Sequence, residues 1–165
     1  MKTLYLIGGA MGVGKSTVCG ELNKTLPKSV YLDGDWCWNM DPFVVTEETK
    51  AMVLSNAQYL LNSFICCSEL DNIIFSWVMD REEIISDLLS GLSLASARVV
   101  KISLVADKSA LADRISRDIA AGKRDESALE KGLARLPLYD DVSAIKIDTT
   151  NKTISQICDE IVAIK

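Results

Sequence analysis

The chain contains no histidine at all. Ser-His-Asp and Cys-His catalysis are therefore excluded, and any proton transfer has to use Asp, Glu, Lys, Tyr or Cys. Five cysteines are present, but none has the C-x-x-C spacing that is typical of zinc and redox sites. We expect reduced thiols, mostly in core positions. They are Cys19, Cys37, Cys66, Cys67 and Cys158.

Long apolar runs are also missing. No stretch approaches the roughly 18 residues of a membrane span, and residues 1–10 lack the charged flank and long apolar core of a signal peptide. The net charge of −5 offers little attraction to a phosphate backbone and disfavours nucleic acid as a partner. The length of 165 residues, with 48% hydrophobic and 25% charged residues, predicts one globular domain over residues 1–165, and the missing span and signal peptide predict a cytoplasmic location. No oligomeric state is predicted.

A glycine-rich motif near the N-terminus is the most specific feature of the chain. Residues 9–16 read Gly-Ala-Met-Gly-Val-Gly-Lys-Ser and match G-x-x-x-x-G-K-[ST], the phosphate-binding P-loop. Glycines let backbone N–H groups turn toward a polyphosphate, Lys15 reaches the outer phosphates, and the Ser16 hydroxyl can ligate Mg²⁺. We therefore expect a nucleoside triphosphate, with Mg²⁺, as the ligand. The nucleotide-binding residues predicted from the motif are Gly9, Ala10, Met11, Gly12, Val13, Gly14, Lys15, Ser16 and Thr17.

Strand and helix patterns alternate along the whole chain, which predicts an α/β fold with a parallel sheet and helices on both faces. Apolar strand patterns occur at 3–7, 30–32, 72–77, 98–105 and 144–147. Helical patterns follow the P-loop and occur at 46–67, 81–90, 108–121 and 153–164. In the helix at 46–67 we expect an apolar stripe of Val53, Ala57, Leu60 and Phe64. Residues 122–135 are polar and weakly patterned and predict an excursion from the core.

Two carboxylates follow the second strand pattern, in the run Asp33-Gly34-Asp35. Ligands of open α/β sheets bind at the carboxyl ends of the strands, so Asp33 and Asp35 are placed where a bound ligand could be reached. One carboxylate there can accept or orient the proton of an acceptor hydroxyl, while its neighbour holds Mg²⁺ through water. The alternative is an ordinary turn, because Asp-Gly is common turn chemistry.

A basic cluster stands out in the otherwise acidic chain. Arg114 and Arg117 share nearly the same helix face, and Lys123, Arg124 and Arg135 follow. Guanidinium groups that close over the phosphates would stabilise the charge of a phosphoryl-transfer transition state. The alternative is a solvated helix face with local ion pairs, such as one between Arg114 and Asp118.

Together, the P-loop, the Asp pair and the basic segment resemble the P-loop kinases of small molecules. This group includes shikimate, gluconate and adenylylsulfate kinases and chloramphenicol phosphotransferase. The resemblance covers nearly the whole chain and implies a three-layer P-loop kinase fold with a five-stranded parallel sheet of order 2-3-1-4-5. It also implies a short lid at about residues 120–135.

Roles for individual residues follow from the same resemblance. It implies catalytic roles for Lys15, Asp35, Arg114 and Arg117, and a place for Asp33, with Ser16, in the metal region. Thr149, in the loop after the fifth strand, resembles a position that lines the adenine pocket, and Arg114 is predicted to contact the nucleotide as well. Thr150 or Asn151 can equally cap the last helix. The aromatic and apolar residues that follow the Asp pair either wall an acceptor pocket or pack between helix and sheet. They are Trp36, Trp38, Met40 and Phe43.

One departure from the family pattern concerns the third strand, which ends in Ser76-Trp77 and lacks an acidic residue or Gly-Gly there. A shikimate substrate is therefore disfavoured, and Asp80 is a further candidate for a metal role. The predicted function is ATP- and Mg²⁺-dependent transfer of the γ-phosphate to a hydroxyl, or a phosphate, of a small molecule. Nucleosides and nucleotides are among the candidate acceptors. The alternative is a nucleotide-binding ATPase or switch module that acts through a protein partner.

Overall fold

The computed structural model describes residues 1–164 and has one five-stranded parallel sheet with the order β2-β3-β1-β4-β5. The predicted fold class and strand order are thereby confirmed. The strands are β1 (Lys2–Gly9), β2 (Ser29–Asp33), β3 (Asn72–Ser76), β4 (Ala97–Val105) and β5 (Ile145–Asp148). The α-helices are α1 (Lys15–Thr25), α2 (Glu47–Cys66), α3 (Glu82–Ser90), α4 (Lys108–Ala120), α5 (Ser127–Arg135) and α6 (Ile154–Val162). Short 3₁₀ helices cover Gly34–Trp38, Leu94–Ser96 and Leu136–Asp140.

Strand β1 lies at the centre of the sheet and separates two apolar cores. Its side chains alternate in direction, so that Leu4 and Leu6 enter one core while Tyr5 and Ile7 enter the other. Helices α2 and α3 cover the first core, and α1, α4 and α6 cover the second. The continuous apolar run of β1 follows from this burial on both faces, as is usual for parallel sheets.

Helix α2 faces the sheet with a stripe that differs in part from the predicted one. Its buried residues are Val53, Ala57, Leu61 and Ile65, whereas the predicted Leu60 and Phe64 are half-buried. All four buried positions are spaced by four residues and therefore lie on one side of the helix. The prediction is right up to Ala57. Beyond it, two apolar residues are adjacent at each turn of the helix, and the sequence pattern did not show which of the two faces the sheet.

The cysteines also differ from the prediction. All five are free thiols, as expected, but only Cys19 and Cys158 are buried. Cys66 and Cys67 lie at the C-terminal end of α2, and both are exposed. The prediction of mostly core positions is therefore wrong.

The polar segment before the last strand contains a helix that its sequence pattern does not indicate. After α4 the chain turns at Gly122, which has a φ of +68°, and then forms α5. The buried residues of α5 are the small Ala128 and Gly132. A Cβ on Gly132 would lie 2.5 Å from Cδ1 of Ile115, so α5 approaches α4 more closely than larger residues would allow. Small residues at the contact explain the weak apolar pattern.

Within residues 1–164, no helix has both the length and the apolar character needed to cross a membrane.

Candidate active site

The P-loop connects β1 to α1 in a backbone conformation that requires glycine. Gly12 and Gly14 have φ values of +83° and +105°, in the left-handed region. A Cβ on Gly12 would also lie 2.5 Å from Cγ1 of Ile115, so the loop packs directly on α4. Gly14 is the N-cap of α1 and provides no side-chain cap, which leaves the first N–H groups of the helix available to an anion.

The P-loop lines a cavity of about 510 Å³, which we call the first cavity. Residues 11–17 lie on its wall, together with Asp33, Asp35 and Thr149. The predicted Gly9 and Ala10 are buried behind the wall. All predicted nucleotide-binding residues are thus brought together, with these two in the layer beneath the cavity.

Lys15 is held across the loop by backbone carbonyls. Its Nζ donates to the oxygen of Gly9 at 2.7 Å and to that of Ala10 at 3.2 Å. Burial lowers the pKa of Lys15, and the negative charges of Asp35 and Asp33 act in the opposite direction. The ammonium group is therefore held on the P-loop, within the electrostatic influence of the two carboxylates.

Asp33 contacts the P-loop serine directly. Its Oδ2 accepts a hydrogen bond from Ser16 Oγ at 3.1 Å and one from the Tyr31 hydroxyl at 2.9 Å. Its Oδ1 accepts from the backbone N–H of Asp35 at 3.1 Å, which caps the 3₁₀ helix. Asp33 is therefore oriented from three sides toward the start of α1.

Tyr31 belongs to this site and was not predicted. Its hydroxyl lies 2.9 Å from Oγ of Ser76, which is fully buried and pairs with Asp33 in the sheet register. Tyr31 and Asp33 are two residues apart in one strand and therefore point to the same face. This spacing is the only sequence signal for Tyr31. The carboxylate that is missing at the end of β3 thus has its counterpart one strand away, at Asp33.

The pair of Ser16 and Asp33 suits a magnesium ion. Mg²⁺ prefers oxygen ligands and is usually bound through one or two carboxylates, water and substrate phosphates. A hydroxyl and a carboxylate oxygen 3.1 Å apart at the edge of a phosphate-binding loop match that chemistry. Residues 1–164 contain no group of three or more His, Cys, Asp or Glu side chains arranged for a metal.

Asp35 lies in the 3₁₀ helix and lines two cavities at once. It faces the first cavity and also a second cavity of about 1360 Å³. Burial raises the pKa of Asp35 and the nearby Asp33 raises it further, while Lys15 and the Trp77 side chain act to lower it. The net effect is a pKa above the ordinary value of an aspartate, as suits a group that accepts a proton.

The aromatic and apolar residues that follow the Asp pair lie on the wall of the second cavity. They are Trp36, Trp38, Met40 and Phe43. Asp80 lies on the same wall, is only 6% exposed, and accepts from Arg135 at 3.0 Å. Because the Asp80 carboxylate is paired with Arg135, its placement does not support a metal role for Asp80.

The arginines of the basic cluster have different partners. Arg114 donates to the carbonyl oxygen of Thr149 at 2.6 Å and to its hydroxyl at 2.9 Å, which fixes it on the loop after β5. Arg117 lines the first cavity. The expected alternative pair of Arg114 and Asp118 is not formed, since Asp118 accepts from Arg124 at 2.9 Å instead.

Comparison with protein families gives a match to the AAA domain over residues 6–132, which includes the P-loop, the Asp pair and most of the basic segment. The chain belongs to the AAA domain family. Comparison with curated proteins gives no match.

Solved structures share the fold over nearly the whole chain. A gluconokinase from Sinorhizobium meliloti 1021 is 18% identical, with a TM-score of 0.68 over 98% of this chain and 90% of its own. The tunicamycin resistance protein of Deinococcus radiodurans is 20% identical, with a TM-score of 0.68 over 99% and 95%. Shikimate kinase from Acinetobacter baumannii, in complex with shikimate, is 19% identical, with a TM-score of 0.64 over 98% and 91%. The predicted resemblance to P-loop small-molecule kinases is confirmed at the level of the fold.

Proposed function

We propose that this AAA domain protein is a kinase that transfers the γ-phosphate of ATP to a hydroxyl group of a small molecule. The observation that carries the proposal is the position of Asp35 between two cavities. The P-loop lines the first cavity. The second cavity has an aromatic wall and is large enough to hold an acceptor. A carboxylate at the junction can orient an acceptor hydroxyl toward a phosphate bound on the other side.

The polar residues of the first cavity that the sequence predicted have separate roles in this proposal. The P-loop N–H groups and Lys15 bind the phosphates, and Arg117 faces the same space. Arg114 and Thr149 hold the loop that borders the nucleotide, and Arg114 also lines the first cavity. Ser16 and Asp33 would hold Mg²⁺, and a bound Mg²⁺ ion would neutralise part of the phosphate charge. We also propose a cytoplasmic location, where ATP is abundant and thiols such as the five found here stay reduced.

The second candidate function is a nucleotide-binding switch that hydrolyses ATP slowly and acts through a protein partner. The first cavity serves both functions equally well. A switch has no use for the second cavity or for a carboxylate that faces it. These two features favour the kinase.

An acceptor screen tests the proposal. The protein is heated with a non-hydrolysable ATP analogue, Mg²⁺ and a panel of metabolites, and compounds that raise the melting temperature are then assayed for stimulation of ADP release. A ligand at 100 times its Kd adds about 2.7 kcal/mol of stability, which such a screen detects easily. Acceptor-stimulated ADP release supports the kinase. Its absence across a broad panel, with ATP hydrolysis retained, supports the switch.

The first prediction concerns Asp33. We expect Asp33→Asn to raise the Mg²⁺ concentration needed for half-maximal binding of a fluorescent ATP analogue by about 10–100-fold, the usual effect of losing a group that holds a metal or its ligand. Binding of the analogue without Mg²⁺ should change little, because asparagine keeps a side-chain oxygen that can accept from Ser16 and the backbone N–H groups of the P-loop are unaltered. Asp71→Asn is the control, since Asp71 precedes β3 at the opposite end of the sheet. An unchanged Mg²⁺ requirement would remove Asp33 from the metal region.

The second prediction concerns the proposed lid, residues 120–135. Nucleotide phosphates should attract Lys123 and Arg124, and the chain can hinge at Gly122, where no atom lies within 4 Å of a Cβ position. We expect amide hydrogen exchange in this segment to slow when ATP analogue and Mg²⁺ bind, while exchange in β1 stays constant. Equal protection of residues 120–135 in both states would mean that the basic cluster is a fixed surface.

A further inference from the structure

The second cavity is large and has an aromatic wall. Its volume of about 1360 Å³ exceeds the roughly 300–1,000 Å³ of most small-molecule sites, so it can take an acceptor with more than one ring. Trp36, Trp38, Phe43 and Trp77 contribute four aromatic rings to the lining. The rings of Trp38 and Phe43 pack at a centroid distance of 5.7 Å, which gives this wall a continuous apolar surface.

Several of the apolar side chains beside this cavity are open to water. Trp36 is 61% exposed and Phe43 is 66% exposed. The next two residues, Val44 and Val45, are exposed as well, so the segment before α2 carries a contiguous apolar patch. Patches of this kind beside a cavity mark ligand-binding grooves, because a ligand that covers them removes apolar surface from water.

The three cations that line the second cavity are already paired within the protein. Arg135 and Arg81 both contact the buried Asp80, at 3.0 and 3.7 Å. The third cation, Lys50, lies 2.7 Å from the carboxylate of Glu47. Asp35, Glu83 and Asp87 add negative charge to the same lining. An acceptor that carries a phosphate dianion would therefore meet neutralised cations and further carboxylates.

We propose, on the basis of the kinase function above, that the acceptor is an uncharged aromatic alcohol. Its ring system lies against Trp36 and Phe43, and its hydroxyl reaches Asp35 at the junction of the cavities. The hydroxyl oxygen forms a bond to the γ-phosphorus of ATP, the bond from the bridging oxygen to that phosphorus breaks, and ADP leaves. The hydroxyl proton passes to the Asp35 carboxylate.

Three matched probe sets test this class of acceptor. The first holds uncharged aromatic alcohols, namely the common nucleosides and arylpropanediols. The second holds the 5′-monophosphates of the same nucleosides, and the third holds D-ribose and D-gluconate, which lack an aromatic ring. ADP release is measured with saturating ATP and Mg²⁺, and binding is measured separately by tryptophan fluorescence. We expect at least one member of the first set to raise ADP release tenfold or more, with the other sets at background.

The outcomes separate the acceptor class from the kinase function. Stimulation by monophosphates or ring-free polyols alone overturns the aromatic class and keeps the kinase. Binding of the first set without any stimulated ADP release keeps the class of ligand and overturns the kinase. Neither binding nor stimulation by the first set, in protein that binds ATP, overturns the inference.

Variants of the aromatic wall give a second readout. Phe43→Ala and Trp36→Ala should each raise the KM for the aromatic acceptor about tenfold, while the KM for ATP stays constant. Both side chains are largely exposed, so neither change should unfold the protein. Tyr59→Ala is the matched control, because Tyr59 is a 74% exposed aromatic residue of α2 that does not line the cavity. An unchanged acceptor KM in both wall variants would contradict the proposal.

Discussion

Lys15→Ala is expected to lower turnover by roughly 10²–10³-fold and to weaken ATP binding while the protein remains folded. The lysine ammonium is the cation nearest to the outer phosphates in the P-loop geometry, and its charge stabilises them most when negative charge spreads in the transition state. The fold should persist because the hydrogen bonds of the Lys15 side chain are made to the loop carbonyls of Gly9 and Ala10, and alanine is a good helix former at the start of α1.

The matched control for this change is Lys24→Ala in the same helix. The Lys24 side chain is 76% exposed and pairs with Glu21 on the same helix, so its loss should leave turnover and ATP affinity unchanged. The melting temperature and the ATP affinity are measured for both variants together with the rate of ADP release. Full activity in a folded Lys15→Ala protein would refute the P-loop assignment.

Asp35→Asn is expected to spare ATP binding and to lower transfer to the acceptor by about 10²-fold. General bases contribute about 10²–10⁴-fold, and a loose phosphoryl-transfer transition state favours the lower part of that range. Asparagine keeps the size of the side chain and removes the charge that attracts the hydroxyl proton. In the switch alternative Asp35 touches no acceptor, and the same change should leave ATP hydrolysis almost unaffected.

The pH profile gives this prediction a second readout. Burial and the charge of Asp33 raise the pKa of Asp35, and only the ionised carboxylate can accept a proton. The rate of phosphate transfer to the acceptor should therefore fall as the pH is lowered through this raised pKa. The pH profile of Asp35→Asn should lack this fall.

The raised pKa of Asp35 should also affect the stability of the wild-type protein. Because the folded protein binds this proton more tightly than the unfolded chain does, the free energy of unfolding falls as the pH rises from the ordinary Asp range through the raised pKa. At neutral pH Asp35→Asn should therefore melt no lower than the wild type.

The result that would contradict the proposed role is a rate of phosphate transfer by Asp35→Asn equal to that of the wild type. It would remove Asp35 from the mechanism.

The site residues show how far sequence reasoning reached. Lys15 and Ser16 were predictable from the motif alone, and Asp33 and Asp35 from their place after a strand, although their separate roles needed the family resemblance. Tyr31 gave no signal beyond its spacing from Asp33. The contact between Arg135 and the buried Asp80 was missed, because a charged residue in a polar segment looks the same whether it faces water or a buried carboxylate.

By itself the sequence determined the phosphate-binding loop and the alternation of strands and helices. Both depend on contiguous residues, since the glycines set the loop backbone and the period of apolar residues sets each element. Only the tertiary structure decided which distant groups meet. Ser16 and Asp33 are 17 positions apart and Arg135 and Asp80 are 55 apart, yet each pair is in contact. The physical reason is that strand order and register, which arise from packing both faces of one sheet, determine which chain segments become neighbours.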